Sequence, residues 1–159
     1  MSISEGDRLP NATLRIMRDG RPTKVAVKDL VGGKKVVIFA VPGAFTPTCS
    51  EQHLPGFIRH AEAIRAKGVD EIVCVAVNDI FVMDAWGREQ DADDIVMASD
   101  GNGEFTQAIG LVLDGSSFGL GNRSERYAMI VEDGTVTKLA IEGPGKFEVS
   151  NAESILDAL

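Results

Sequence analysis

The order of apolar and polar positions along the chain resolves into short strands and helices. Thr13 to Arg18 and Pro22 to Val27 flank Asp19-Gly20, a dipeptide suited to a two-residue type I′ turn, and predict a β-hairpin. The run Lys35 to Ala40, continuing to Val41, reads as a buried strand. Beyond it, Leu54, Phe57, Ile58, Ala61 and Ile64 recur with helical spacing, and Gly68 supplies the usual helix end. Pro55 falls early in that helix and predicts a kink or an irregular first turn. Glu71 to Val77 is apolar at alternate and intervening positions alike, as in a strand covered on both faces.

The pattern then predicts a helix from Asn78 or Asp79 that buries Phe81, Val82, Ala85 and Trp86, and a short strand over Ile95 to Ala98. Asp100 reads as a cap for a helix carrying Phe105, Ala108 and Ile109 inward. Tyr127 to Glu132, Asp133-Gly134 and Thr135 to Ile141 predict a second hairpin. Ser150 and Glu153 form a capping box before a last helix with Ile155 and Leu156 inward. No repeat, low-complexity tract or long linker interrupts this order. The expectation is one domain over residues 1–159.

Composition narrows the class. The chain has 159 residues, 44% hydrophobic and 25% charged, in keeping with a globular protein. No apolar stretch approaches the ~20 residues of a membrane span. The start, Met1 to Asp7, has no basic segment followed by an apolar one, so no secretory signal is read there. A formal charge of −8 disfavours nucleic acid as a partner. Two cysteines form no disulfide framework and suit a reducing, cytoplasmic compartment. There is no Cys-x-x-Cys pair, and the two histidines and two cysteines make no zinc set.

Cys49 is where the pattern points to chemistry. It lies where the loop from the strand end enters a helix, beside free N–H groups and the positive end of the helix dipole. That setting stabilises a thiolate, the reactive form of cysteine. Ionisation by itself gives little: a free thiol with pKa ~8.5 is about 3% thiolate at neutral pH, so complete ionisation gains only about 30-fold. A fast thiol reaction therefore needs groups that stabilise the transition state.

The segment Pro42-Gly43-Ala44-Phe45-Thr46-Pro47-Thr48-Cys49-Ser50 resembles the active-site motif of the peroxiredoxins, in the wording of the peroxiredoxin-five and plant type II subgroup. Leu54-Pro55-Gly56-Phe57, Val77 to Met83 and Asn122 to Tyr127 resemble further blocks of that subgroup, so the likeness covers nearly the whole chain. It implies an α/β, thioredoxin-like fold with a central mixed sheet flanked by helices. It also implies a thiol-specific peroxidase that reduces hydrogen peroxide and small organic hydroperoxides through a Cys49 sulfenic acid, without a cofactor or metal. By the same resemblance Thr46 contacts sulfur and peroxide, Pro42 shapes and shields the loop, and the backbone N–H groups of Thr48 and Cys49 donate to the peroxide. Arg126 is implied beside Cys49, with Arg123 as its rival. The resemblance also implies a homodimer, with Phe45 and the Ile80–Phe81 region at the subunit interface.

Cys74, mid-strand, reads as an inert core thiol. Plant type II members resemble this chain in having a cysteine there, which offers a resolving role that would require unfolding of the first helix. Other subgroup members carry a resolving cysteine near the C-terminus, where this chain reads Gly145 to Asn151 with none. That departure implies recycling by an external thiol, either glutathione with glutaredoxin or thioredoxin. The alternative is a redox-sensing relay that passes the oxidation of Cys49 to a partner. His53, four residues after Cys49, invites a Cys–His hydrolase reading, but no third group orients the imidazole, and a partly solvated helix histidine is expected.

Overall fold

The computed structural model describes residues 2–159. The strands run β1 (Thr13–Arg18), β2 (Arg21–Ala26), β3 (Lys35–Ala40), β4 (Glu71–Ala76), β5 (Val96–Ser99), β6 (Val112–Asp114), β7 (Asn122–Ser124), β8 (Tyr127–Glu132) and β9 (Thr135–Ile141). The α-helices are α1 (Val27–Val31), α2 (Leu54–Ala66), α3 (Ile80–Glu89), α4 (Glu104–Ala108) and α5 (Ala152–Ala158).

Seven strands form one mixed sheet in the order β2-β1-β5-β4-β3-β8-β9, and β6 pairs separately with β7. The neighbours β3, β4 and β5 are parallel, while β8 runs antiparallel to β3. Both predicted hairpins form, closed by Asp19-Gly20 and Asp133-Gly134, all four residues at positive φ as a type I′ turn requires.

Strand alternation splits the core into two layers. Val37, Phe39, Ile72, Cys74, Ala128 and Ile130 face α2, α3 and α5. Val36, Ile38, Val73, Val75, Tyr127 and Met129 face the other way, toward α1 and α4. Cys74 and Cys49 therefore share one layer. Leu54, Phe57, Ala61 and Ile64 line the buried side of α2, each at most 1% exposed. Burial of a side chain such as Leu or Phe is worth about 1.5–3 kcal/mol, so this stripe anchors the helix that follows Cys49.

The packing corrects several details of the sequence reading. α3 is rotated by one position: Ile80, Met83 and Trp86 face inward, Val82 and Ala85 are half-buried, and Phe81 is 65% exposed. In α4, Phe105 and Ile109 are buried but Ala108 is exposed. Asp100 does cap this helix, its carboxylate accepting from the N–H groups of Phe105 and Thr106, although Gly103 is the residue at the boundary. The side chain that caps α5 is Asn151, which accepts from Ser154 N–H, and Ser150 is used elsewhere.

Candidate active site

The β3–β8 register sets the site. Ala40, the last residue of β3, pairs with Tyr127, the first of β8. Arg126, one residue earlier, is thus brought to the loop that leaves β3. This loop is fixed at several points. Ala44 N–H donates to Asn78 Oδ1 at 2.9 Å, and Thr46 Oγ donates to the Gly43 carbonyl at 2.7 Å. Arg123 reaches the Pro42 carbonyl at 3.5 Å and also donates to the Leu120 carbonyl, so the rival arginine braces the loop. Gly43 sits close to its neighbours: a Cβ there would lie 3.1 Å from both Arg123 Nη1 and Thr46 Cγ2, so those side chains would have to shift by a few tenths of an ångström. Phe45 adopts φ 65°, a left-handed conformation that costs a bulky residue about 1–2 kcal/mol.

Residues 47–53 complete the approach to α2. The first helical hydrogen bond runs from Ser50 N–H to the Thr46 carbonyl, so the amides of Thr48 and Cys49 precede it. From Cys49 to His53 the backbone widens into one π turn, in which Leu54 N–H donates to the Cys49 carbonyl. Single π turns of this kind recur at functional sites. The irregular first turn expected from Pro55 takes this form, with Pro55 in the first turn of the regular helix. Ser50 ties the turn to α3: its Oγ accepts from Trp86 Nε1 at 3.0 Å and its carbonyl from Gln90 Nε2 at 3.2 Å.

Cys49 is fully buried, and Arg126 Nη2 donates to its Sγ at 3.1 Å. The same guanidinium donates through Nη1 to His53 Nδ1 at 2.9 Å. Arginine has no acceptor, so Nδ1 must carry a lone pair and Nε2 the proton. Nε2–H in turn donates to the Ser150 carbonyl at 2.9 Å. His53 is entirely buried, with its ring centroid 5.0 Å from Phe39, 5.6 Å from Phe57 and 5.0 Å from Phe147. Burial, reinforced by the Arg126 charge, lowers its pKa from 6.5 to about 3. The ring is therefore neutral at physiological pH.

This corrects the expected half-solvated histidine, and it removes the hydrolase reading. Both ring nitrogens are occupied, and a guanidinium rather than the imidazole meets the sulfur. His53 is the residue whose part the sequence reading missed. The i, i+4 relation to Cys49 was visible, but the cover over it comes from the distant segment around Phe147 and Ser150.

Thr46 and Pro42 lie in the loop before Cys49, the Thr46 hydroxyl hydrogen being directed to Gly43 and its oxygen retaining acceptor capacity. Cys74 is free and fully buried on β4. Desolvation, and next the nearby Cys49 sulfur, push its pKa well up, which keeps it a thiol.

A family model described as Redoxin matches residues 4–156. Peroxiredoxin-2B of Arabidopsis thaliana is 48% identical, over 99% of this chain and 98% of its own length. The chloroplastic Peroxiredoxin-2E of the same plant is 49% identical, over 99% of this chain and 70% of its own. Among solved structures, reduced Prx3 of Vibrio vulnificus in complex with hydrogen peroxide superimposes with a TM-score of 0.96 at 56% identity, over 98% of each chain. The chain belongs to the Redoxin family and is a peroxiredoxin, a thiol-dependent peroxidase with the thioredoxin-like fold.

Proposed function

We propose that Cys49 is the peroxidatic thiol and that hydrogen peroxide and small alkyl hydroperoxides are its substrates. The Cys49 thiolate donates an electron pair to one peroxide oxygen, an S–O bond forms, and the O–O bond breaks. The second oxygen leaves with that bond pair and takes a proton, giving water or an alcohol, while Cys49 becomes a sulfenic acid. The observation that carries this reading is the Arg126 guanidinium 3.1 Å from Sγ. Its fixed charge stabilises the attacking sulfur and the oxygen that gains negative charge. The amides of Thr48 and Cys49 donate to the peroxide, the Thr46 oxygen accepts from its hydroxyl, and Pro42 limits water at the sulfur.

Recycling uses an external thiol, glutathione with glutaredoxin or thioredoxin. Cys74 is buried in the sheet, and the segment Gly145 to Asn151 offers no thiol. The donor thiol displaces the sulfenic oxygen as water and forms a mixed disulfide, which a second thiol resolves. Because Cys49 is fully buried, the π turn must open for that donor. Exposure of Phe45 (50%) and Phe81 (65%) on neighbouring elements favours a homodimer through that face. A reducing compartment such as the cytosol suits this cycle.

A reductant panel with excess peroxide tests the proposal. Wild type and Cys74→Ser are expected to turn over with at least one of glutathione, glutathione plus glutaredoxin, or thioredoxin, and Cys49→Ser with none. Retained activity in Cys49→Ser, or oxidation without turnover by every reductant, would overturn it.

A further inference from the structure

Glu142, the first residue past β9, takes no part in the reaction described above, yet it closes a ring of hydrogen bonds on Arg126. Its backbone N–H donates to the Arg126 carbonyl at 2.9 Å, extending the β8–β9 ladder by one bond. Its carboxylate accepts from the returning loop: Glu148 N–H at 2.9 Å, Val149 N–H at 2.8 Å, and both the N–H and Oγ of Ser150 at 2.7 Å. Burial alone would raise the Glu142 pKa, but these donors together hold it below the usual carboxylate range. The Ser150 carbonyl then receives His53 Nε2–H, and His53 Nδ1 receives Arg126 Nη1. The path leaves Arg126 by its backbone and returns to its guanidinium, whose other arm meets Cys49 Sγ.

We propose that Glu142 is a positioning residue for peroxide reduction: by clamping residues 148–150 it places the carbonyl that, together with Arg126, fixes the His53 tautomer, and so holds Arg126 on the sulfur. An ionised carboxylate suits this place because four donors converge on acceptors alone. Glutamine would turn its NH2 group toward N–H donors, and aspartate would fall a methylene short. The clamp also holds Phe147, whose ring centroid lies 5.9 Å from the Arg126 guanidinium carbon and whose edge meets His53. With Phe147 and Ser150 released, the imidazole loses one of the two partners that keep its proton on Nε2. Nδ1 then ceases to be a dedicated acceptor for Arg126.

The inference rests on Cys49 as the attacking thiolate, and the two are tested apart. The second-order rate of peroxide reduction is measured for wild type, Glu142→Ala, Glu142→Gln, Arg126→Lys and the Glu142→Ala/Arg126→Lys double variant. Misplacing a reacting group by about 1 Å costs up to ~100-fold, so Glu142→Ala is expected to slow the reaction ~10- to 100-fold, with Glu142→Gln between it and wild type. If Glu142 acts through Arg126, the double variant is no slower than Arg126→Lys by more than ~2-fold. Imidazole 15N shifts should report one Nε2–H tautomer for His53 in wild type and tautomer averaging in Glu142→Ala.

A Glu142→Ala rate within ~2-fold of wild type, or a loss that multiplies fully with Arg126→Lys, would overturn the inference. So would an unchanged tautomer. Should Glu142→Ala fail to fold, Glu142→Gln and Ser150→Ala (which removes only the Oγ bond) carry the same comparison. If Cys49→Ser retained activity, the parent reading would fall with it. An unaffected Glu142→Ala beside an inactive Cys49→Ser would remove the Glu142 role alone.

Discussion

Acidification should destabilise this protein through His53 before the carboxylates dominate. In the folded chain the imidazole is buried and faces the Arg126 guanidinium, and its pKa is lowered from 6.5 to about 3. The unfolded chain takes up the proton near its ordinary value, so between those two values the unfolded state binds one proton more. Stability contributed by His53 is therefore fully present above that ordinary value and is lost as pH falls toward the folded one. At pH 5 the unfolded ensemble gains RT ln(1 + 10^1.5), about 2 kcal/mol, while the folded state gains almost nothing.

Urea unfolding at pH 7, 6 and 5 for wild type and His53→Gln isolates this contribution, since glutamine does not titrate. Glu142, the carboxylate tied to the same network, is held below the usual carboxylate range and so titrates beneath this interval. His53→Gln should be destabilised at pH 7, where it loses ring packing and part of the hydrogen-bond path. The gap to wild type should then narrow by about 2 kcal/mol by pH 5. Parallel stability curves for the two proteins would refute the buried neutral imidazole.

Two further outcomes follow from particular contacts. Arg126→Lys keeps a charge but cannot span both Sγ and His53 Nδ1, and should lower the rate with hydrogen peroxide by ~100-fold or more in stopped-flow measurements. Asp100→Ala leaves the N–H groups of Phe105 and Thr106 without their acceptor, and should cost about 1–2 kcal/mol in urea unfolding with the peroxide rate little changed.

Much of this molecule was legible in its sequence because local rules decided it. Asp-Gly pairs fix both hairpin turns, and the unbroken apolar runs of β3 and β4 mark strands covered on both faces. The Pro42–Cys49 wording pointed to the loop and thiol, and Arg126 reached the sulfur as the family likeness implied. Where the reading slipped, tertiary contacts chose between near-equal local options. Phe81 and Ile80 are both apolar at the start of α3, and packing takes Ile80. The elements α1, β6 and β7 are three to five residues long, too short to show a period. His53 looked like a helix-surface residue because nothing nearby in sequence reveals that Phe147 and Ser150 fold back over it. Ser150 and Asn151 are both good capping residues, and the clamp on Glu142 occupies the serine.

The most direct test of the account is to find which sulfur peroxide oxidises, and how fast. One equivalent of hydrogen peroxide is added to the reduced protein in stopped flow, with Trp86 fluorescence as reporter since its indole bonds Ser50 beside Cys49. Dimedone then traps the sulfenic acid for peptide mass analysis. A fast fluorescence change is expected, with an adduct on Cys49 and none on Cys74, and both signals lost in Cys49→Ser. An adduct on Cys74, or equally fast oxidation of Cys49→Ser, would contradict it.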